Sequence, residues 1–269
     1  MSIRVCVAGV TGWTGQAVAK AVLESPDFRL VGALARSTAG EDAGMAIGLE
    51  TPAGVTITSD PAEALGSHPD VWIDYTHPAA VKTHALAALA AGARVVIGTS
   101  GLAARDFDDI ETAALAARSG VIAAGNFSLT AALLKHLAGI AARHLPHREI
   151  IDYAHAGKPD APSGTARELA EYLAGASPNQ LHLPIDKTLG EPGTRGAPIG
   201  GTQVHAVRLP GYLISVEALF GLPGERLTLR HDAGTSPQPY VAGTLLAARS
   251  VGEITGLVRG LDELLFASP

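Results

Sequence analysis

The chain has 269 residues, a formal net charge of −6 and a single cysteine. Its lysines and arginines are scattered, which excludes the basic stripe of a nucleic-acid binder, and no apolar run reaches the roughly 18 residues that span a bilayer. The expectation is a cytoplasmic protein of two modest domains acting on a small molecule, because a strand starts almost at residue 1 and leaves no room for a secretory signal.

Ile3 to Ala8 reads as a continuous apolar strand, so Cys6 within it is expected to be a buried structural thiol. The strand runs into Gly9-Val-Thr-Gly12-Trp-Thr-Gly15 and then a helical segment, Gln16 to Leu23. Strand, glycine turn and helix in that order suit a dinucleotide: the turn is tight, backbone amides approach a pyrophosphate, and the helix packs closely on the strand. Gly9, Thr11, Gly12, Trp13, Thr14 and Gly15 are the candidate cofactor residues.

A second strand, Arg29 to Leu34, ends at Ala35-Arg36-Ser37-Thr38, about 20 residues past the last motif glycine, where such folds place the ribose reader. An acid there would accept from the free 2′-hydroxyl of NAD. Arg36 with Ser37 instead suits the 2′-phosphate of NADP. The alternative is a solvated surface arginine. Strands at Val71 to Tyr75, Arg94 to Ile97 and Gly120 to Ala124 alternate with Ala-rich helices, Ala79 to Ala91 and Ala103 to Arg118, which indicates a parallel sheet. Its strand ends bring forward Asp74-Tyr-Thr-His77-Pro and Gly98-Thr99-Ser100-Gly101 as cleft residues, Thr99 and Ser100 also serving as helix caps.

Gly125-Asn126-Phe127-Ser128 reads as the crossing into a second domain, opened by a helix from Leu129 to His144. A strand, Arg148 to Tyr153, leads into Asp152-Tyr-Ala-His-Ala-Gly-Lys-Pro-Asp-Ala-Pro-Ser-Gly-Thr-Ala166 and a helix over Ala166 to Ala174. Either Ser163 or Thr165 caps that helix, Gly164 lets a ligand approach, and the helix start beside Lys158 attracts a carboxylate or phosphate. Ala176 to Gly201 is expected to be a mobile loop or lid. Thr202 to Arg208, Tyr212 to Phe220 and Arg226 to His231 are expected to form an antiparallel meander, with helices at Tyr240 to Ser250 and Ile254 to Phe266 returning to the first domain. Histidines at irregular spacing give no metal site.

In order along nearly the whole chain, Gly9 to Gly15, Asp74-Tyr-Thr-His-Pro, Val96-Ile-Gly-Thr-Ser-Gly101, Asn126-Phe-Ser, Lys158-Pro-Asp-Ala-Pro-Ser-Gly-Thr-Ala166 and Gly224-Glu-Arg-Leu-Thr-Leu-Arg-His231 resemble the 4-hydroxy-tetrahydrodipicolinate reductase (dihydrodipicolinate reductase) family. The resemblance implies an α/β fold: a Rossmann-type parallel-sheet cofactor domain, 1–125 with 234–269, and a mixed α/β substrate and oligomerisation domain, 126–233. It implies a homotetramer and hydride transfer to a cyclic imine dicarboxylate from NADPH, with NADH as an alternative donor. Lys158 and His155 take the catalytic positions, Ser100, Gly164 and Thr165 the substrate carboxylate. Gly98, Thr99, Gly125, Asn126 and Phe127 join the cofactor site.

The chain also departs from the family pattern. Ala154 stands where the family has the histidine proposed as proton donor, Ser100 replaces a threonine, and Trp13 replaces an arginine. Arg208 to Val216 lacks the family's acid and histidine, and an arginine is missing near Thr235 and Ser236. Proton delivery then falls to Lys158, with burial lowering its pKa, to His155 or to water. Two alternatives stay open here: a paralogue reducing another small imine or carbonyl carboxylate, and a non-catalytic NADP-binding sensor.

Overall fold

A computed structural model describes residues 2–266, and the chain divides into two compact units, Met1–Leu129 with Pro237–Pro269, and Thr130–Ser236. In the first unit β1 (Ile3–Ala8) buries Val5, Cys6, Val7 and Ala8 completely and leads into α1 (Trp13–Glu24) and β2 (Phe28–Leu34). Burial pushes the Cys6 thiol pKa up, as befits a packed rather than a reactive sulfur. Three short pieces follow: α2 (Ala43–Ala46), β3 (Ile57–Thr58) and α3 (Pro61–Leu65). The alternation then continues through β4 (Val71–Asp74), α4 (Pro78–Ala90), β5 (Arg94–Ile97), α5 (Ala104–Ala117) and β6 (Gly120–Ala123). Proline at the first position of α3 and of α4 suits a helix start, and Asp60 and His77 cap them from the side chain.

The second unit is built from α6 (Leu129–His144), β7 (His147–Ala154), α7 (Gly164–Ala176), β8 (Ala197–Ile199), β9 (Thr202–Arg208), β10 (Ile214–Leu222) and β11 (Glu225–Ala233). Leu134, Ala138 and Ala142 of α6 and Leu169, Ala170 and Leu173 of α7 bury one sheet face with Ile150, Val204, Val216, Ala218 and Phe220. Strand order is β11-β10-β7-β9-β8. The expected meander is therefore corrected: β10 and β11 form an antiparallel hairpin, but β9 pairs in parallel with β7, which lies between β9 and β10. Ile150, Asp152 and Ala154 of β7 are fully buried. A strand so placed needs backbone partners on both edges, which a meander would deny it.

The segment expected to be a mobile loop or lid is anchored at its two ends. It holds two 3-10 turns, Ile185–Lys187 and Pro192–Arg195, and then β8. Asn179 exchanges hydrogen bonds with the Arg148 backbone at 2.9 and 3.1 Å, and Gln203 Nε2 donates to Arg195 O at 2.7 Å.

The chain returns to the first unit as α8 (Gln238–Ser250), β12 (Gly256–Arg259) and α9 (Leu261–Phe266). The single helix expected over 254–266 is corrected by β12. Gly256 and Gly260 adopt φ of +90° and +98°, which a right-handed helix excludes, and the residues between them extend the sheet beside β6. The parallel sheet runs β12-β6-β5-β4-β1-β2-β3. Its strand order reverses between β1 and β4, the switch point at which open α/β sheets bind ligands.

Candidate active site

Each unit carries its own cluster of candidate residues. In the first, the glycine turn sits at the switch point. Gly9 has φ +81°, and a Cβ added there would lie 2.3 Å from Tyr75 O; one added at Gly15 would lie 2.0 Å from Gly9 O. Both glycines are thus demanded by the close approach of backbone to backbone. Gly12 N donates to Gly9 O at 2.8 Å, and α1 begins directly after it, at Trp13 rather than at Gln16 as expected.

Trp13, Thr14 and Gly15 are therefore the first turn of α1 itself. Gly12 offers no side-chain cap and no acid stands in that turn, so its amides face outward with the positive helix end unneutralised. That arrangement suits an anion such as a pyrophosphate. Thr11 and Thr14 are half-buried; the Trp13 ring is exposed and meets Tyr240 edge-on at 5.9 Å between centroids. Past the end of β2, Arg36 and Ser37 are exposed, and Arg36 has no ion-pair partner among the described residues.

At the end of β4 the buried Asp74 carboxylate gathers donors from two loops. Thr76 N and Thr76 Oγ1 donate to it at 2.9 and 2.6 Å, Thr99 Oγ1 at 3.1 Å and Trp72 Nε1 at 3.2 Å. His84 Nδ1 lies 2.9 Å away. Burial alone would raise its pKa, but the bonds from His84 and Thr76 hold it below the usual carboxylate range. Thr99 is thereby turned inward, and its loop is fastened to the one after β4.

Gly98 leaves room for the Tyr75 ring, since a Cβ there would fall 2.1 Å from it. Ser100 and Gly125 are exposed, and Asn126 Oδ1 accepts from Ser128 N at 2.8 Å. The Phe127 ring, a candidate cofactor contact, is 1% exposed and packs edge-on against Tyr75.

In the second unit, the turn between β7 and α7 brings His155, Lys158, Gly164 and Thr165 onto one loop. Ser163 is the N-cap, resolving the two capping candidates: its Oγ accepts from Ala166 N at 3.3 Å. Arg167 N opens the helical ladder on Ser163 O at 3.0 Å, and no acid occupies the first turn of α7. Gly164 stands at the first helical position, where a Cβ would meet nothing within 4 Å and φ is not left-handed. Neither backbone strain nor packing within the chain calls for glycine there.

Lys158 is half-buried on this turn. Its side chain is 22% exposed, and Nζ pairs with Asp160 Oδ1 at 2.7 Å, an interaction that holds the Asp160 carboxyl below its usual range. His155 is exposed, with its backbone N–H on Leu213 O, while the Ala154 methyl is fully buried.

Two groups close to these sites have bonding roles that the sequence reading did not assign: Asp74, read there only as a cleft residue, and the pair Asp152 and Arg208. Asp74 ends an otherwise apolar strand, Val71-Trp-Ile-Asp, and an acid so placed is a legible signal for a buried polar hub. Asp152 near the end of β7 and Arg208 at the end of β9 meet at 2.7 Å, and nothing local in the sequence joins them.

Comparison with known proteins covers both units. The profile of dihydrodipicolinate reductase, N-terminus, matches residues 3–127, and that of dihydrodipicolinate reductase, C-terminus, matches residues 128–265. The chain is 41% identical over 265 residues to a 4-hydroxy-tetrahydrodipicolinate reductase of Moorella thermoacetica, covering 98% of each. It is 39% identical over 274 residues to that of Trichormus variabilis, again covering 98% of each. Among solved structures, a dipicolinate-bound dihydrodipicolinate reductase from Paenisporosarcina sp. TG-14 superposes with a TM-score of 0.86 at 32% identity, covering 98% of this chain and 100% of that one.

Proposed function

The chain belongs to the dihydrodipicolinate reductase family, and from that premise we propose that it reduces 4-hydroxy-tetrahydrodipicolinate, a cyclic imine dicarboxylate, to tetrahydrodipicolinate in lysine and diaminopimelate biosynthesis. It is an NAD(P)H-dependent oxidoreductase. The observation that carries the substrate assignment is the β7–α7 turn, where an ammonium and an acid-free helix start, fronted by a glycine with open space before it, share one loop. A carboxylate is the ligand such a turn favours.

The residues present fit a nicotinamide dinucleotide, because the outward-facing first turn of α1 lies at the switch point with its glycines fixed by backbone approach. Gly9, Thr11, Gly12, Trp13, Thr14 and Gly15 would hold its pyrophosphate. Gly98, Thr99, Gly125, Asn126 and Phe127 would hold its nicotinamide end. When bound it supplies the hydride. Arg36 and Ser37 support NADPH over NADH, since a guanidinium and a hydroxyl stand exposed where an acid would read the free ribose.

Ser100, Gly164 and Thr165 bind substrate carboxylate, and the Lys158 ammonium offsets its charge. Converting 4-hydroxy-tetrahydrodipicolinate to tetrahydrodipicolinate takes up one hydride and one proton and releases the 4-hydroxyl as water. Ala154 has no proton to give, so delivery falls to Lys158, to His155 or to a bound water. Asp160 orients the Lys158 amine through its 2.7 Å contact.

The same reading makes the protein a cytoplasmic homotetramer. Supporting assembly, α6 and α7 cover only one face of the second sheet, leaving Ile151, Tyr153 and Leu219 on the other face half-exposed. Light scattering should give four times the 27.4 kDa chain. The reaction itself is tested by NADPH consumption with the product of pyruvate and aspartate semialdehyde condensation, run beside other cyclic imines. Consumption with another imine alone would overturn the assignment.

A further inference from the structure

The β7–α7 turn is fastened by two residues to which the reductase reading gives no part. Asp152, fully buried on β7, accepts from Ser163 N and from Ser163 Oγ, each at 2.7 Å. Arg208 Nη2 donates to Asp152 Oδ2 and to Asp160 O, also at 2.7 Å each. Arg208 Nη1 reaches Asp152 O and Val207 O at 3.3 and 2.9 Å. Arg208 ends β9 directly opposite Ala154, the last residue of β7, so the guanidinium starts from a fixed strand position.

These bonds touch the turn at three places. Asp152 is its entry, Asp160 its middle and Ser163 its exit into α7. Between them, His155, Ala156, Gly157, Pro159 and Ala161 are exposed and supply little packing of their own. An exposed loop of that kind would otherwise sample many conformations.

We propose that Asp152 and Arg208 are positioning residues for the substrate, an inference that rests on the reading of this turn as the carboxylate site. Asp152 fixes the Ser163 cap, and with it the direction in which Gly164 and Thr165 begin α7. Arg208 fixes the Asp160 backbone, and through Asp160 the Lys158 ammonium that pairs with it. Amide donors bind an anion only when aimed at it, so a turn released by either residue loses affinity although every group that touches substrate is still present. A buried ion pair adds little net stability over apolar residues of similar size, which leaves placement as the reason to hold one here.

The test is calorimetric binding of pyridine-2,6-dicarboxylate, the dicarboxylate found on the related Paenisporosarcina enzyme. Asp152→Asn with Arg208→Met leaves no unpaired buried charge, so the double variant is expected to fold. It should keep the wild-type NADPH affinity and bind the dicarboxylate about tenfold or more weakly. Arg208→Lys keeps a charge beside Asp152 but loses the second arm to Asp160, and should weaken the dicarboxylate by an intermediate factor. Unchanged dicarboxylate affinity in either variant overturns the proposal, as does an equal loss of NADPH affinity or a wild-type chain that does not bind the dicarboxylate. Wild-type binding without turnover of the lysine-pathway intermediate would instead sink the reaction assignment and leave the clamp standing.

Discussion

Lys158 Nζ lies 2.7 Å from Asp160 Oδ1, so the amine assigned to the substrate is held by an acid only two residues further along the same turn. The pair is partly exposed, with side-chain exposures of 22% and 49%, and screening limits its worth to stability. Its value is orientation. Lys158→Ala is expected to lower kcat/KM for 4-hydroxy-tetrahydrodipicolinate by about 10²–10⁴-fold while leaving the NADPH dissociation constant unchanged. Asp160→Asn should produce a smaller loss in the same steady-state assay, because the amine remains and only its tether is weakened.

Two glycines should respond in opposite ways to alanine. At Gly164 an added methyl meets open space, and alanine is the better helix former by about 1 kcal/mol, so Gly164→Ala should keep or raise the melting temperature. It should nonetheless raise the substrate KM, since the methyl occupies the side from which a carboxylate approaches. Gly15→Ala places a methyl 2.0 Å from Gly9 O and should destabilise the protein by about 1–3 kcal/mol while weakening NADPH binding. Thermal denaturation beside ligand titration of each variant checks both.

Cofactor choice turns on Arg36. Replacement by alanine should weaken NADPH about tenfold or more and leave NADH nearly unchanged, as measured by fluorescence titration of both. Equal effects on the two dinucleotides would remove the ribose-phosphate role.

Asp74 should write itself into the acid limb of stability. Its folded pKa lies below the ordinary aspartate value of 3.8, so its contribution is fully present above that value and is lost as pH falls through the lower folded value. Asp74→Asn should cost about 1–3 kcal/mol at neutral pH by leaving buried donors mismatched, and the gap from wild type should close below about pH 4. Denaturant titrations across that range measure it. A gap constant with pH would contradict the charged, donor-filled carboxylate described for β4.

What could be read from sequence was local. The strand, glycine turn and helix at residues 3–24 and the strand, turn and helix at residues 147–176 announce themselves by apolar runs and by Gly, Pro and Ser in the positions their backbones require. Pairing choices were not legible. Nothing near Thr202–Arg208 says that it joins β7 rather than Ile214–Leu222, and the Arg208 contact to Asp152 spans 56 residues. The short strand β12 was hidden because Leu257 and Val258 suit a helix as well as a strand, and only the left-handed glycines on either side decide. Within the site, the Lys158 to Thr165 motif showed which groups gather on one loop but not that Lys158 is tied to Asp160. Phe127 enters the cofactor site only through the resemblance, and its ring, 1% exposed and edge-on to Tyr75, leaves its backbone as the part that can face a ligand.

The central claim, that this chain delivers hydride from a nicotinamide to the cyclic imine of the lysine pathway, is tested most directly by isotope transfer. NADPH deuterated at the reactive nicotinamide carbon, incubated with the chain and the condensation product of pyruvate and aspartate semialdehyde, should yield tetrahydrodipicolinate carrying a single deuterium by mass spectrometry. Unlabelled product, or deuterated NADPH left unconsumed in the presence of that intermediate, would contradict it.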